Sequence, residues 1–196
     1  MTNPIIRGFC NLTRFSGRDR RSQFWPYAGV AVALTFVVMG AAMLWAMSSF
    51  WAEAMRVAET HPEVVTVESG PGYYSREVDV SGYGLMPDLT AFFAVMGVSI
   101  VMYVALLAAA VSRRLHDLGK SALWGLMPVP FLIFGVVFFP IMMTGMMEAA
   151  EPNPALFFLL FFNNLAYMVG LISLIVMLCL RGTVGPNRFG PDPLQN

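Results

Sequence analysis

Four stretches of this chain carry no charged residue, and each is long enough to cross a bilayer as a helix. They are about 25–50 (WPYAGVAVALTFVVMGAAMLWAMSSF), 89–111 (LTAFFAVMGVSIVMYVALLAAAV), 122–147 (ALWGLMPVPFLIFGVVFFPIMMTGMM) and 155–180 (ALFFLLFFNNLAYMVGLISLIVMLCL). A hydrocarbon core roughly 30 Å thick needs about 20 apolar residues in a helix. Four such runs in 196 residues, 57% of them hydrophobic and 12% charged, leave too little polar surface for a soluble shell. Soluble domains average about 25% charged residues. The expected fold is therefore a single all-α integral membrane domain with four transmembrane helices. The first run is too long for a signal-peptide core of about 7–15 residues.

The third run contains Pro128, Pro130 and Pro140. Each proline removes a backbone donor and should kink or break the helix, and the Pro128–Pro130 pair marks either a helix start or a re-entrant break. The fourth contains Asn163–Asn164, an adjacent polar pair at membrane depth. Such amides commonly hydrogen-bond between helices, at about 0.6–2 kcal/mol each. The alternative reading is a contact for a transported solute.

Charge separates the connecting segments by sign. Arg7, Arg14, Arg18, Arg20 and Arg21 precede the first span, Arg113, Arg114 and Lys120 lie between the second and third, and Arg181 and Arg188 follow the fourth. Against them stand Asp19, Asp117 and Asp192. The remaining connections hold Glu53, Glu59, Glu63, Glu68, Glu77, Asp79, Asp88, Glu148 and Glu151 against Arg56 and Arg76. With four spans, the three basic segments share one side, which the positive-inside rule makes cytoplasmic. Both termini are expected there. On the other side, the loop 52–88 holds VVTVES and YYSREVDV around Pro71–Gly72. That pattern predicts a small β-hairpin, as a partner-binding cap or a solvated connector. Near the N-terminus, Ile5, Phe9 and Leu12 recur at helical spacing among arginines and predict a short interfacial helix.

FSGRDRRSQFW at 15–25, SRRLHDLGKSALW at 112–124 and GPNRFGPDP at 185–193 stand in this order between apolar spans. Together they resemble the bacterial inner-membrane family called domain of unknown function 805, over essentially the whole chain. The resemblance implies a small four-helix membrane protein and carries no biochemical role. Gln23 stands where the family commonly has Glu, and Ala122–Leu123 where it often has Gly-Trp.

SRRLHDLGKS has a structural reading at every position. Asp117 lies four residues after Arg113 and three after Arg114, so either pair is within reach on a helix. Gly119 occupies a C-cap position and Ser121 an N-cap position. The functional reading gathers Arg18, Arg20, Arg21, Arg113, Arg114, Lys120 and Arg188 on one surface for anionic phospholipid headgroups. The turn-rich tail would fold back so that Asn187 and Arg188 meet the loop and Asp192 supplies a counter-charge. An enzyme reading would make His116 a base and Asp117 its orienter, but neighbours on a helix point about 100° apart. No phosphate-binding loop, nucleophile elbow or metal-binding motif accompanies them, and Cys10 and Cys179 are too few for a disulfide framework. The sequence thus points to a structural, assembly or lipid-interacting membrane protein rather than an enzyme. It calls for no cofactor and no nucleic acid. The expected partners are the bilayer and a second copy or another membrane protein, and small-solute transport is the rival reading.

Overall fold

The computed structural model describes residues 3–85, 89–148 and 154–193. Among them are six α-helices: α1 (Pro4–Cys10), α2 (Arg21–Ala46), α3 (Ser48–Thr60), α4 (Leu89–Asp117), α5 (Val129–Glu148) and α6 (Pro154–Cys179). Two strands, β1 (Val65–Gly70) and β2 (Tyr73–Val78), pair antiparallel with Val65 opposite Val78 and Gly70 opposite Tyr73. Asp88 and Glu151 lie outside the described residues. The four expected spans correspond to helices long and apolar enough to cross a membrane.

Their boundaries differ from the apolar runs for local reasons. The first helix ends at Ala46, not near Phe50, and after Met47 the chain starts the separate helix α3. That helix is amphipathic, burying Ala54, Val57 and Ala58 on one side and exposing Trp51 and Met55 on another. The second helix continues past Val111 to Asp117, because basic side chains suit the C-terminal end of its dipole. The third run begins as a 3-10 turn, Ala122–Leu126, and becomes α-helical only at Val129. Pro130 thereby falls in the first turn, where a missing N–H costs nothing, while Pro140 stays inside the helix.

The chain divides into two compact units, Met1–Thr35 with Ile100–Asn196, and Phe36–Ser99. In the second unit the hairpin forms where Pro71–Gly72 turns the chain, with Gly72 at φ 88°. No residue of either strand is buried. In the first unit, Phe24, Tyr27, Ala28, Ala31, Ala110, Leu115, Leu174 and Leu178 form the core, joining the start of α2 to the ends of α4 and α6. The small residues let these helices approach closely, as expected where lipid supplies no hydrophobic drive between helices. Tyr27 Oη donates to the Leu106 carbonyl at 2.6 Å, so its buried hydroxyl is satisfied.

The expected short N-terminal helix forms as α1, and it packs on the protein as well. Its Phe9 meets the Tyr27 ring edge-to-face at 5.2 Å, and Phe9 and Leu12 pack on the core while Ile6 is exposed. Gly8 is the reason it can dock. A Cβ there would lie 2.1 Å from Tyr27 Cδ2. The apolar residues that spacing assigned to the membrane surface are thus partly spent on the protein's own interior.

Candidate functional site

The polar cluster of the first unit grows from the ends of three helices. At the end of α4, Gly119 takes φ 71°, and the Gly119 and Lys120 N–H groups donate back to the His116 and Leu115 carbonyls at 3.0 Å. This glycine cap stops the helix with Arg113, Arg114 and Asp117 on its last turns. Ser121 Oγ then accepts from Leu123 N at 3.3 Å and opens the next turn. At the start of α2, the Gln23 Oε1 accepts the Arg20 N–H at 3.0 Å, the reach-back half of a capping box. The neutral Gln therefore performs the capping task that a Glu would perform.

Two buried carboxylates organise the arginines. Asp117 accepts Arg114 Nη1 through Oδ2 at 2.5 Å and faces Arg18 through Oδ1, 3.1 Å from Nη2 and 3.2 Å from Nε. Asp19 accepts Arg113 Nε at 2.6 Å and Arg7 Nη2 at 2.8 Å. Of the two pairings that helical spacing offered Asp117, Arg114 takes one. Arg113 turns away to Asp19, whose N–H also donates to the Arg113 carbonyl at 3.1 Å. The side chains of Arg18 and Arg114 are 2% and 0% exposed.

Carbonyls satisfy the remaining donors. Arg114 Nε reaches Leu178 O at 3.0 Å and its Nη2 reaches Leu180 O, at the end of α6. Arg18 donates to Thr183 O at 2.7 Å and Gly185 O at 2.8 Å. Arg113 Nη1 donates to Asn11 O at 2.8 Å and Arg14 O at 2.5 Å. A planar guanidinium with five donors suits this role better than a lysine. The Arg18, Arg113 and Arg114 side chains are thereby the hubs of a clasp that ties the N-terminal arm, α4 and the tail together.

The tail closes the clasp. Thr183 donates to Asp117 O from its N–H at 2.8 Å and from its hydroxyl at 3.0 Å. Gly182 packs directly on the Asp117 carboxylate, and a Cβ there would lie 2.0 Å from Oδ2. Asn187 Nδ2 donates to His116 O at 3.0 Å, and Arg188 Nη2 to Gly119 O at 3.3 Å. The Phe189 ring stacks on His116 with centroids 3.9 Å apart and planes 7° from parallel. Asp192, buried, accepts the Gly185 N–H at 2.8 Å. His116 Nδ1 lies 3.3 Å from Gly17 O, so its polar contact is with backbone.

The clasp thus takes up Arg18, Arg113, Arg114, His116, Asp117, Asn187 and Asp192 from the candidate cluster. Arg188 joins it through Gly119 O but is exposed, Arg21 is exposed with Nη1 donating to Cys179 O at 3.2 Å, and Arg20 and Lys120 are half-buried, with Lys120 Nζ 4.9 Å from the Trp124 ring centroid. Arg14 and Arg181 are exposed as well. Spacing alone did not single out Asp19, Arg7, Gly182, Thr183 or Phe189. Asp19 carried a signal, being the one acid in an arm with five arginines.

Away from the clasp, Asn163 Nδ2 donates to the Phe131 carbonyl at 2.9 Å, bridging α6 to the first turn of α5. Its neighbour Asn164 is exposed. An apolar cavity of about 250 Å³ lies between α4, the 3-10 turn, α5 and α6, lined by Tyr103, Leu107, Leu126, Leu132, Tyr167 and Leu171 among others.

A family model described as protein of unknown function (DUF805) matches residues 12–191. The chain belongs to that family. The match runs from the N-terminal arm to the folded-back tail, so every residue of the clasp named above except Arg7, Asn11 and Asp192 lies within it. No curated protein and no solved structure matches the chain.

Proposed function

We propose that this DUF805 protein is a structural or assembly element of the bacterial inner membrane whose basic end faces the cytoplasm and holds anionic lipid headgroups. The observation that carries the reading is the division of labour among its cations. Arg18, Arg113 and Arg114 are buried in ion pairs and carbonyl contacts, while Arg14, Arg21, Arg181 and Arg188 ring the same end in exposed positions. A bilayer surface attracts such cations at about 1 kcal/mol each. The apolar cavity beside them, with Phe15 and Ser112 at its margin, offers an adjoining place for an acyl chain. The buried hubs fix the scaffold and the exposed ring meets the lipid.

Full-length protein in nanodiscs of defined composition tests this reading. Native mass spectrometry should find anionic phospholipid retained over zwitterionic lipid. Replacing Arg21 and Arg181 by Gln should reduce that preference without unfolding the protein. Equal retention of both lipid classes by the wild type would overturn the reading. A reporter active only outside the cytoplasm, fused to the C-terminus, should be silent, and an active fusion would overturn the orientation.

A further inference from the structure

Beside the clasp lies a cavity of about 310 Å³ whose wall is unusually one-signed. Arg7, Arg14, Arg18, Arg20 and Arg113 line it together with Gln23, and no Asp or Glu is among its described lining residues. Three of these arginines are committed, Arg7 and Arg113 to Asp19 and Arg18 to Asp117. Arg14 and Arg20 form no ion pair among the described residues. Arg20 Nε is buried and has no hydrogen-bond partner. A buried donor without an acceptor is unfavourable.

We propose that this cavity is a specific site for a phosphate monoester, held by Arg20 and Arg14. Several features choose the ligand class. Two uncommitted guanidiniums and no lining carboxylate favour a dianion over the single charge of a phosphodiester. Planar guanidiniums match phosphate oxygens bidentately. The volume lies at the lower end of small-ligand pockets, about 300–1,000 Å³, which suits a phosphate with a small substituent. Gln23 sets the charge of the floor. Its Oε1 already caps α2 by accepting the Arg20 N–H, yet it brings no negative charge to compete with the ligand. The phosphate can arrive on a lipid headgroup, as in phosphatidate, or on a soluble metabolite. This inference refines the anionic-headgroup reading by naming one site, which shares Arg14 with the exposed ring but not Arg21, Arg181 or Arg188.

The decisive variant is Gln23→Glu. A glutamate keeps the cap acceptor and suits the start of a helix, so the fold is retained. It also places a carboxylate beside Arg20, where the phosphate would sit. Arg20→Gln is the second variant. Full-length protein in zwitterionic nanodiscs is titrated with glycerol 3-phosphate and with inorganic phosphate, and in a separate arm with nanodiscs containing phosphatidate or phosphatidylglycerol. Saturable binding is expected for a monoester in at least one arm, weakened about ten- to a hundredfold by both variants. Phosphatidate should exceed phosphatidylglycerol if the source is lipid, and glycerol 3-phosphate should bind alone if it is soluble. Monoester binding that both variants leave unchanged, or no monoester binding in either arm, overturns the site. A general preference for anionic over zwitterionic lipid that survives both variants leaves the surface reading standing without the site. Absence of that general preference in the wild type, with saturable glycerol 3-phosphate binding weakened by both variants, supports the site and overturns the surface reading.

Discussion

Removing the Asp117 carboxylate should cost more stability than any other single change in the clasp. Asp117 is 4% exposed and is the carboxylate that faces both Arg18 and Arg114. In Asp117→Ala two buried guanidiniums lose their counter-charge at once. Breaking a buried ion pair from one side costs about 3–5 kcal/mol. Each guanidinium keeps carbonyl acceptors, at Thr183 and Gly185 for Arg18 and at Leu178 and Leu180 for Arg114, so the lower end, about 3 kcal/mol, is expected. Against a total of about 5–15 kcal/mol that loss is large. Gly182 supplies an internal control. Gly182→Ala drives a Cβ into the same carboxylate and should cost about 1–3 kcal/mol in the wild type, as overpacking does. In an Asp117→Ala background the overlap is gone, and Gly182→Ala should cost nearly nothing. Equilibrium unfolding of the four proteins in one lipid–detergent mixture gives the cycle. An Asp117→Ala protein within about 0.5 kcal/mol of wild type would refute the clasp, being the change expected of a substitution outside any such feature. An equal cost of Gly182→Ala in both backgrounds would refute the packing argument.

Other consequences separate structural from surface roles. Asn163→Leu should lose about 1 kcal/mol through the missing bond to the Phe131 carbonyl, whereas Asn164→Leu should not, in the same unfolding assay. Gly8→Ala should detach α1 from Tyr27, at a cost of about 1–3 kcal/mol, read as faster proteolysis within the first twenty residues or so. His116→Ala removes the stack on Phe189, worth about 0.5–1.5 kcal/mol, and should speed cleavage of the tail beyond Gly185 while leaving the spans intact. Equal protection of that tail in variant and wild type would count against its docking on His116.

The four spans, the hairpin, and the C-cap at Gly119 and N-cap at Ser121 were legible in the sequence because each follows from a local rule. Uncharged length specifies a span, Pro71–Gly72 between β-branched runs specifies a hairpin, and a glycine after a basic last turn specifies a helix stop. The motif set FSGRDRRSQFW, SRRLHDLGKS and GPNRFGPDP also marked the family and located the residues that meet. Helix ends were less legible, since Met47 and the Pro128–Pro130 pair alter a boundary without altering composition.

What the sequence by itself determined is the class of object and which charges belong to one end. Hydropathy and charge sign act residue by residue, so they survive without coordinates. Which arginine is a hub and which is free was decided only by tertiary structure. Arg18, Arg20, Arg113 and Arg114 are chemically alike, and helical spacing allowed Asp117 to either Arg113 or Arg114. The choice depends on partners remote in the chain: Asp19 arrives at Arg113 from the arm, and Gly182 and Thr183 arrive at Asp117 from the tail. An ion pair needs its charges a few ångströms apart and withdrawn from water, and that proximity is created by packing of helix ends, not by order along the chain.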